Sequence, residues 1–418
     1  MAERARAASM ALTAKVEVVV VAAGVDEVDP GGVVAVQGER DLVFGLGPGD
    51  QKRLPADLLR EERRSSPGQA RAGIAFAAMT ALEALAREAI EAWDGRLELD
   101  LFATDDPAAV AALIEAFCDE TLGRPVAGIL YAPGVGLVVG LHLADGRDVI
   151  IKIHRWNASA ARLAATQEVQ VQLADAGLPV PRPLLGPTPL GRGVATVEEH
   201  LGGTATDGHD SAARTTMAVG LHRLVEAAGP LQADVGRALV LRPDGAPMWP
   251  EPHSLRFDFE ATADGAEWID RHFAAAQRRL RPTRGGDQIG HFDWRVQNLA
   301  FRDGEIVAIY DWDSLATAPE PVIVGNAAGG FCIDWEAADE DPPPTVEEML
   351  AFVADYESAR GRLFDADERE ALDAANLAMV AYGARCQHSD LYLQPEFGDT
   401  SAIGWLRLLR DRGDRCLS

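Results

Sequence analysis

The chain has 418 residues, 47% of them hydrophobic, with 39 basic against 65 acidic side chains and a formal net charge of −26. That length and apolar content suffice for two or three packed cores, no stretch is long enough for a membrane span, and so acidic a chain repels nucleic acid and anionic membranes. The same charge suits a cationic small-molecule partner, and equally suits solubility alone.

The first 105 residues read as strand-like runs at Val16 to Ala22, Val33 to Val36 and Leu42 to Phe44, followed by an Ala/Leu-rich helix from Ile74 to Trp93. The role of this N-terminal extension is open: a capping or regulatory subdomain, or β structure packed beside the next region. Val18 to Gly24 is a short apolar run, but Glu17 before it and the strand pattern after it argue against a signal peptide, so a cytoplasmic protein is expected. Four cysteines, at 118, 332, 386 and 416, show neither Cys-x-x-Cys spacing nor nearby His, and ordinary reduced thiols are expected.

A second region, 106–200, opens with a helix over Pro107 to Leu122 and continues as β structure. Gly134 and Gly136 would let backbone amides approach phosphate oxygens. With a turn at Asp145-Gly146, Lys152 falls opposite Val139, just beyond that glycine turn, where its ammonium could reach the phosphates of a nucleotide. A helix over Ala158 to Ala176 carries Glu168, the acid expected to keep a buried Lys152 charged and aimed. Leu178 to Pro183, with three prolines, cannot be helix.

Beyond residue 200 helical periodicity dominates, over Ala212 to Ala228, Glu267 to Leu280, Val346 to Ala359, Ala366 to Cys386 and Ala402 to Arg410. Between these helices lies the run His291-Phe292-Asp293-Trp294-Arg295-Val296-Gln297-Asn298, with Asp311-Trp312-Asp313 downstream of it. Phosphoryl transfer needs a carboxylate to take the acceptor's proton and hard oxygens for a magnesium ion, and the five-residue step from Asp293 to Asn298 is that of the protein-kinase catalytic loop. Asp293 is thus the candidate base, Asn298 and Asp311 the candidate metal ligands, His291 a brace for the loop, and Asp313 a second ligand or a support. A hairpin turn at Asp303-Gly304 pairs 302 with 305 and 298 with 309, which brings Asn298 and Asp311 close enough to share one cation.

These residues together resemble the aminoglycoside phosphotransferase and choline kinase family, which has the protein-kinase-like fold. The resemblance is carried by Val149 to Lys152, Glu168 with Ala174 to Pro181, Val197 to Gly203, Gly220 to Leu224 and the stretch 291–313, in family order over about 106–320. It implies an α+β protein of two lobes: a small antiparallel-sheet nucleotide lobe and, over 201–418, a larger mainly helical lobe. It implies that Lys152 paired with Glu168 orients the phosphates of ATP or GTP, that Asn298 and Asp311 hold Mg2+, and that backbone from Glu199 to Leu201 meets the base. The stretch after Asp313 lacks the family's Gly-Asp-Pro, with Glu320 as a substitute carboxylate.

The expected activity is transfer of the γ-phosphoryl group to a hydroxyl of a small molecule such as an aminoglycoside-type antibiotic, a sugar or an amino alcohol. The alternative is a nucleotide-binding pseudokinase or regulatory protein without turnover. Two loops are candidates for the acceptor site: His253, Asp258 and Glu260 beside Trp249, and Asp334, Trp335 and Glu336 at the head of an acidic run. Nothing in the sequence decides the oligomeric state.

Overall fold

The computed structural model describes residues 82–155, 157–241, 245–252, 254, 257–280, 286–334, 342–393, 404–414 and 417. The strand-like runs expected before residue 45, and Cys416, lie outside these.

Five antiparallel strands form the first lobe: β1 Pro125–Pro133, β2 Leu137–Leu143, β3 Asp148–His154, β4 Pro183–Leu190 and β5 Gly193–Glu199, in the order β1-β2-β3-β5-β4. Side chains alternate across such a sheet. Val139, Ile151 and Val197 lie side by side on one face and are fully buried, sharing a core with helical residues from 82 to 118. Those residues belong to α1 (82–93), α2 (Arg96–Phe102) and α3 (Pro107–Thr121), the last capped by the Asp106 side chain. The described part of the stretch before 106 is therefore a helical layer on the sheet, continuous with the lobe. Lys152 and Glu198 project from the opposite face.

The turn between β2 and β3 is one residue longer than the Asp-Gly pair suggests. Leu143 and Arg147 close it around Ala144-Asp145-Gly146, with Gly146 left-handed at φ 89°. A three-residue loop of this kind shifts the register by one, so Lys152 pairs with Val138 rather than Val139.

A helix α4, Ala160–Asp175, leads from the first lobe to the second, burying Val169 and Leu173 in the larger core. That core is built by α5 (Ser211–Ala228), α6 (Glu267–Arg279), α7 (Glu320–Ala328), α8 (Val346–Arg360), α9 (Ala366–Leu393) and α10 (Trp405–Arg412). Two ribbons complete it, β6 Gln288–His291 with β9 Leu315–Ala318, and β7 Leu299–Arg302 with β8 Glu305–Ile309.

Helix α7 was not foreseen from the sequence. It reads Glu-Pro-Val-Ile-Val-Gly-Asn-Ala-Ala and is buried all round from Pro321 to Gly325, so it lacks the one-sided period that reveals surface helices. Gly325 lets α9 approach closely: a Cβ there would lie 2.1 Å from the Leu372 carbonyl oxygen. Glu320, at the head of α7, takes hydrogen bonds from Tyr356 (2.9 Å) and Arg360 (2.6 Å). It ties α7 to α8 and does not reach the 291–298 loop, so the supporting role expected of it falls away. Cys118, Cys332 and Cys386 are buried and unbridged, and among the described residues no helix is long and apolar enough to cross a membrane.

Candidate active site

The 291–298 loop leaves β6 and is fixed by its own side chains. His291 is fully buried between Trp294 and Trp312, with ring centroids 5.9 and 5.7 Å away. Its Nε2 lies 2.9 Å from the Tyr310 carbonyl oxygen, which can only accept, so Nε2 carries the proton and Nδ1 is left to accept from the Asp293 amide at 3.3 Å. Burial lowers the His291 pKa and keeps the ring neutral. The loop is braced by an uncharged imidazole.

Asn298 donates from Nδ2 to both the Asp293 carbonyl and its Oδ2, each at 2.9 Å, and Arg295 approaches the same Oδ2 at 3.1 Å. Burial favours the neutral acid at Asp293, but the Arg295 guanidinium and the hydrogen bonds outweigh it and hold the carboxyl below its ordinary range. It is a carboxylate at neutral pH, as a general base has to be.

Between Asn298 and Asp311 the chain makes the foreseen turn, with Asp303 at φ 54° and Gly304 at φ 81°. The ladder then carries a bulge between Ala300 and Phe301, so that Leu299 faces Ile309 and Asn298 meets Tyr310, whose amide bonds the Asn298 carbonyl at 2.9 Å. The pairing of 298 with 309 is thus off by one, and the correction places Asp311 immediately after the residue opposite Asn298. Asp311 adopts a left-handed backbone, φ 65° and ψ 47°, uncommon for a residue with a side chain.

Lys152 reaches across from β3 and ion-pairs with both Asp311 and Asp313, while His154 lies 3.5 Å from the other Asp313 oxygen. These contacts hold the Lys152 ammonium well above its ordinary pKa in spite of burial. Burial pushes Asp311 up to about 8 against the pull of Lys152, with Asp313 and Asp293 adding to it, whereas Lys152 and His154 overcome burial at Asp313 and hold it low.

Glu168 is not the partner of Lys152. It is exposed on α4, where Thr166 and Gln170 are among the buried positions, and Gln170 hydrogen-bonds Glu198 at 2.8 Å. The helix turns Leu163, Thr166 and Gln170 inward, a phase that one periodic turn of sequence does not fix. Burial raises the Glu198 carboxyl to about 7, with Lys152 pulling the other way. Accordingly, Glu168→Ala is expected to leave nucleotide-induced thermal stabilisation unchanged within error, whereas a fall of several degrees would restore Glu168 to the site.

Gly134 and Gly136 form the turn between β1 and β2, the Gly134 amide bonding the Gly136 carbonyl at 2.9 Å. Only Gly136 is required by space: a Cβ there would sit 2.4 Å from the Ile153 carbonyl oxygen, while one at Gly134 meets nothing nearer than 3.8 Å. At the crossing between lobes the Glu199 amide bonds Arg182 O and the His200 amide bonds Asp148 O, each at 3.0 Å, and the Leu201 amide donates to the Tyr310 hydroxyl at 3.1 Å.

The expected acceptor residues do not gather here. Asp258 caps a turn, accepting from the amides of Glu260 (3.1 Å) and Ala261 (2.8 Å), and Glu260 is exposed. His253, Trp335 and Glu336 lie outside the described residues. Asp334 directly follows Ile333, which lines a cleft beside the base with Phe292, Asp293, Arg295, Asn326 and Met379. Sequence reasoning missed Arg295, His154, Glu198 and Tyr310. Of these only Arg295 carried a signal, a basic residue two places after the base.

The donors present suit magnesium. Asn298 spends its amide nitrogen on Asp293, which leaves the amide oxygen for a cation, and Asp311 supplies a carboxylate; both are hard oxygen donors. Among the described residues no three His, Cys, Asp or Glu side chains converge as a metal-ligand cluster. A two-residue protein set of this kind fits Mg2+, which keeps waters and takes phosphate oxygens for its remaining positions.

A small antiparallel sheet lobe, a mainly helical lobe and this constellation beneath the crossing define a two-lobed protein of the kinase-like class. Residues 137–319 match the family model described as the phosphotransferase enzyme family, APH. Among solved structures it is similar to an amicoumacin kinase, hAmiN, in complex with AMP-PNP, Ca2+ and Ami, with 14% identity, a TM-score of 0.52, and 72% of this chain and 95% of that one covered. It also matches the spectinomycin phosphotransferase APH(9)-Ia in complex with ADP and spectinomycin, at 10% identity and a TM-score of 0.46 over 73% and 96% of the two chains. A thermostable aminoglycoside phosphotransferase, APH(4)-Ia, matches at 14% identity and a TM-score of 0.45 over 71% and 98%. No curated protein is similar to it in sequence.

Proposed function

We propose that the chain transfers the γ-phosphoryl group of a purine nucleoside triphosphate to a hydroxyl of a small molecule, with Asp293 as the base. The observation that carries this reading is the joining of Asp293, Asn298 and Asp311 by direct hydrogen bonds and one hairpin, with Lys152 delivered to the same point from the other lobe. Asp293 is ionised, half-buried and lines a small cleft, so it can orient an acceptor hydroxyl and take its proton as the phosphoryl group departs. Lys152 is positioned to bind nucleotide phosphate oxygens, and Arg295 to balance the charge beside the base.

Asn298 and Asp311 would hold the magnesium ion, which when bound supplies charge neutralisation at the phosphates. The match to the phosphotransferase family model and the likeness in fold to the amicoumacin kinase support an acceptor of the hydroxylated antibiotic type, and the acidic balance of the chain is compatible with a cationic one.

The test is purified protein with ATP or GTP and magnesium, offered a panel of aminoglycosides, other hydroxylated antibiotics, sugars and amino alcohols. Acceptor-dependent release of the nucleoside diphosphate is expected. Nucleotide binding with no release across the panel would favour a pseudokinase, and no nucleotide binding would overturn the reading altogether.

A further inference from the structure

Of the three amides at the lobe crossing, two are committed to the backbone: Glu199 N–H to Arg182 O and His200 N–H to Asp148 O. Leu201 N–H is the one whose partner is a side chain, the Tyr310 hydroxyl. A side chain can be displaced by a ligand, whereas the two backbone bonds extend the β-structure of the first lobe and cannot be given up without opening it.

The phenol is held from behind. Tyr310 N–H bonds the Asn298 carbonyl and its own carbonyl accepts from His291, both at 2.9 Å, and the next residue is Asp311. Its ring lies beside that of His200, centroids 6.4 Å apart and planes 25° from parallel. The backbone of Tyr310 thus belongs to the catalytic loop while its hydroxyl reaches the crossing, where an acceptor atom of a purine would be met. Rotation about χ1 would withdraw the ring without moving the backbone that sets Asp311.

We propose that Tyr310 sets the nucleotide affinity of this chain, its hydroxyl standing in for the purine at the Leu201 N–H and having to yield before a base can bind there. The inference rests on the nucleotide site described under Proposed function, and it assigns a resident competitor within that site. A bound base exchanges one hydrogen bond for another at Leu201, so the net gain at this contact is small; without the hydroxyl the gain is whole.

The experiment is calorimetric titration of ATP with magnesium into the parent and Tyr310→Phe, alongside inorganic tripolyphosphate, which has no base. ATP is expected to bind Tyr310→Phe about fivefold more tightly, the ratio that corresponds to one net hydrogen bond of about 1 kcal/mol. Tripolyphosphate is expected to bind both proteins equally. Tyr310→Leu, which also removes the hydroxyl, has to shift ATP in the same direction. Unchanged or weaker ATP binding in Tyr310→Phe would overturn the inference, as would an equal gain for tripolyphosphate, which would mark a general loosening of the cleft. If the parent binds tripolyphosphate but ATP no better, and Tyr310→Phe binds ATP better than both, the blocked form is confirmed; if neither protein binds either probe, the nucleotide-site reading itself fails.

Discussion

Asp293→Asn is expected to lower turnover about 10²- to 10⁴-fold, the range contributed by a positioned general base, while the nucleotide still stabilises the protein against heat. The amide keeps the shape of the carboxylate and can still accept from Asn298 Nδ2, which lies 2.9 Å from Asp293 Oδ2 in the parent, so the loop should survive. What is lost is the capacity to take a proton. The separation of readouts matters here, because His291, Trp294 and Trp312 hold the loop independently of the charge. Diphosphate release in a coupled assay, compared with melting temperature at saturating ATP, checks both halves. Retained turnover would remove Asp293 from the role of base, and loss of nucleotide stabilisation would make it a binding residue.

Lys152→Met is expected to cost about 1.5–3 kcal/mol of folding stability, the range for hydrogen bonds to charged groups, since this ion pair is only partly buried. Two carboxylates, Asp311 and Asp313, share this one ammonium, and Met fills the space without replacing the charge. Lys152 itself stays charged until strong alkali, but Asp311 and Glu198, raised to about 8 and about 7 with Lys152 pulling both down, keep their protons to higher pH without it. The deficit of the variant should therefore be larger at pH 8 than at pH 6. Urea denaturation of both proteins at the two pH values measures it, and a difference under about 1 kcal/mol would show that water already relieves the carboxylates.

Much of this was readable in advance, for identifiable reasons. Helices α3, α4, α5, α6 and α8 were legible because each has one apolar face, and their ends fall within two residues of the periodic runs. Helix α7 was hidden by being apolar throughout, and α2 by its shortness and the absence of a side-chain cap. Both strand registers erred by one residue, since a turn's length and a bulge depend on backbone dihedrals that a Gly or Asp permits but does not dictate.

The grouping of Asp293, Asn298 and Asp311 was legible because local spacing alone nearly assembles it. Lys152's true partners were not. They come from 159 and 161 positions away, and nothing local distinguishes Asp311 and Asp313 from a helix acid such as Glu168. The cleft beside Asp293 was least legible, because Asn326 and Met379 reach it from α7 and α9, far from the loop in sequence.

The left-handed backbone at Asp311 has a consequence for how this chain can change. A side chain in that conformation carries local strain of about 1 kcal/mol or more, and here the strained residue is also a half-buried acid whose ionised form the charges of Asp313 and Asp293 oppose. Asn tolerates the same backbone and brings no charge. Asp311→Asn is therefore expected to melt above the parent in the absence of nucleotide while losing phosphotransfer, as scanning calorimetry and the release assay would show; a lower melting point would mean that the tie to Lys152 outweighs the crowding. Selection for heat resistance alone would then drift away from aspartate at 311, and only selection for the proposed phosphotransfer would keep it there.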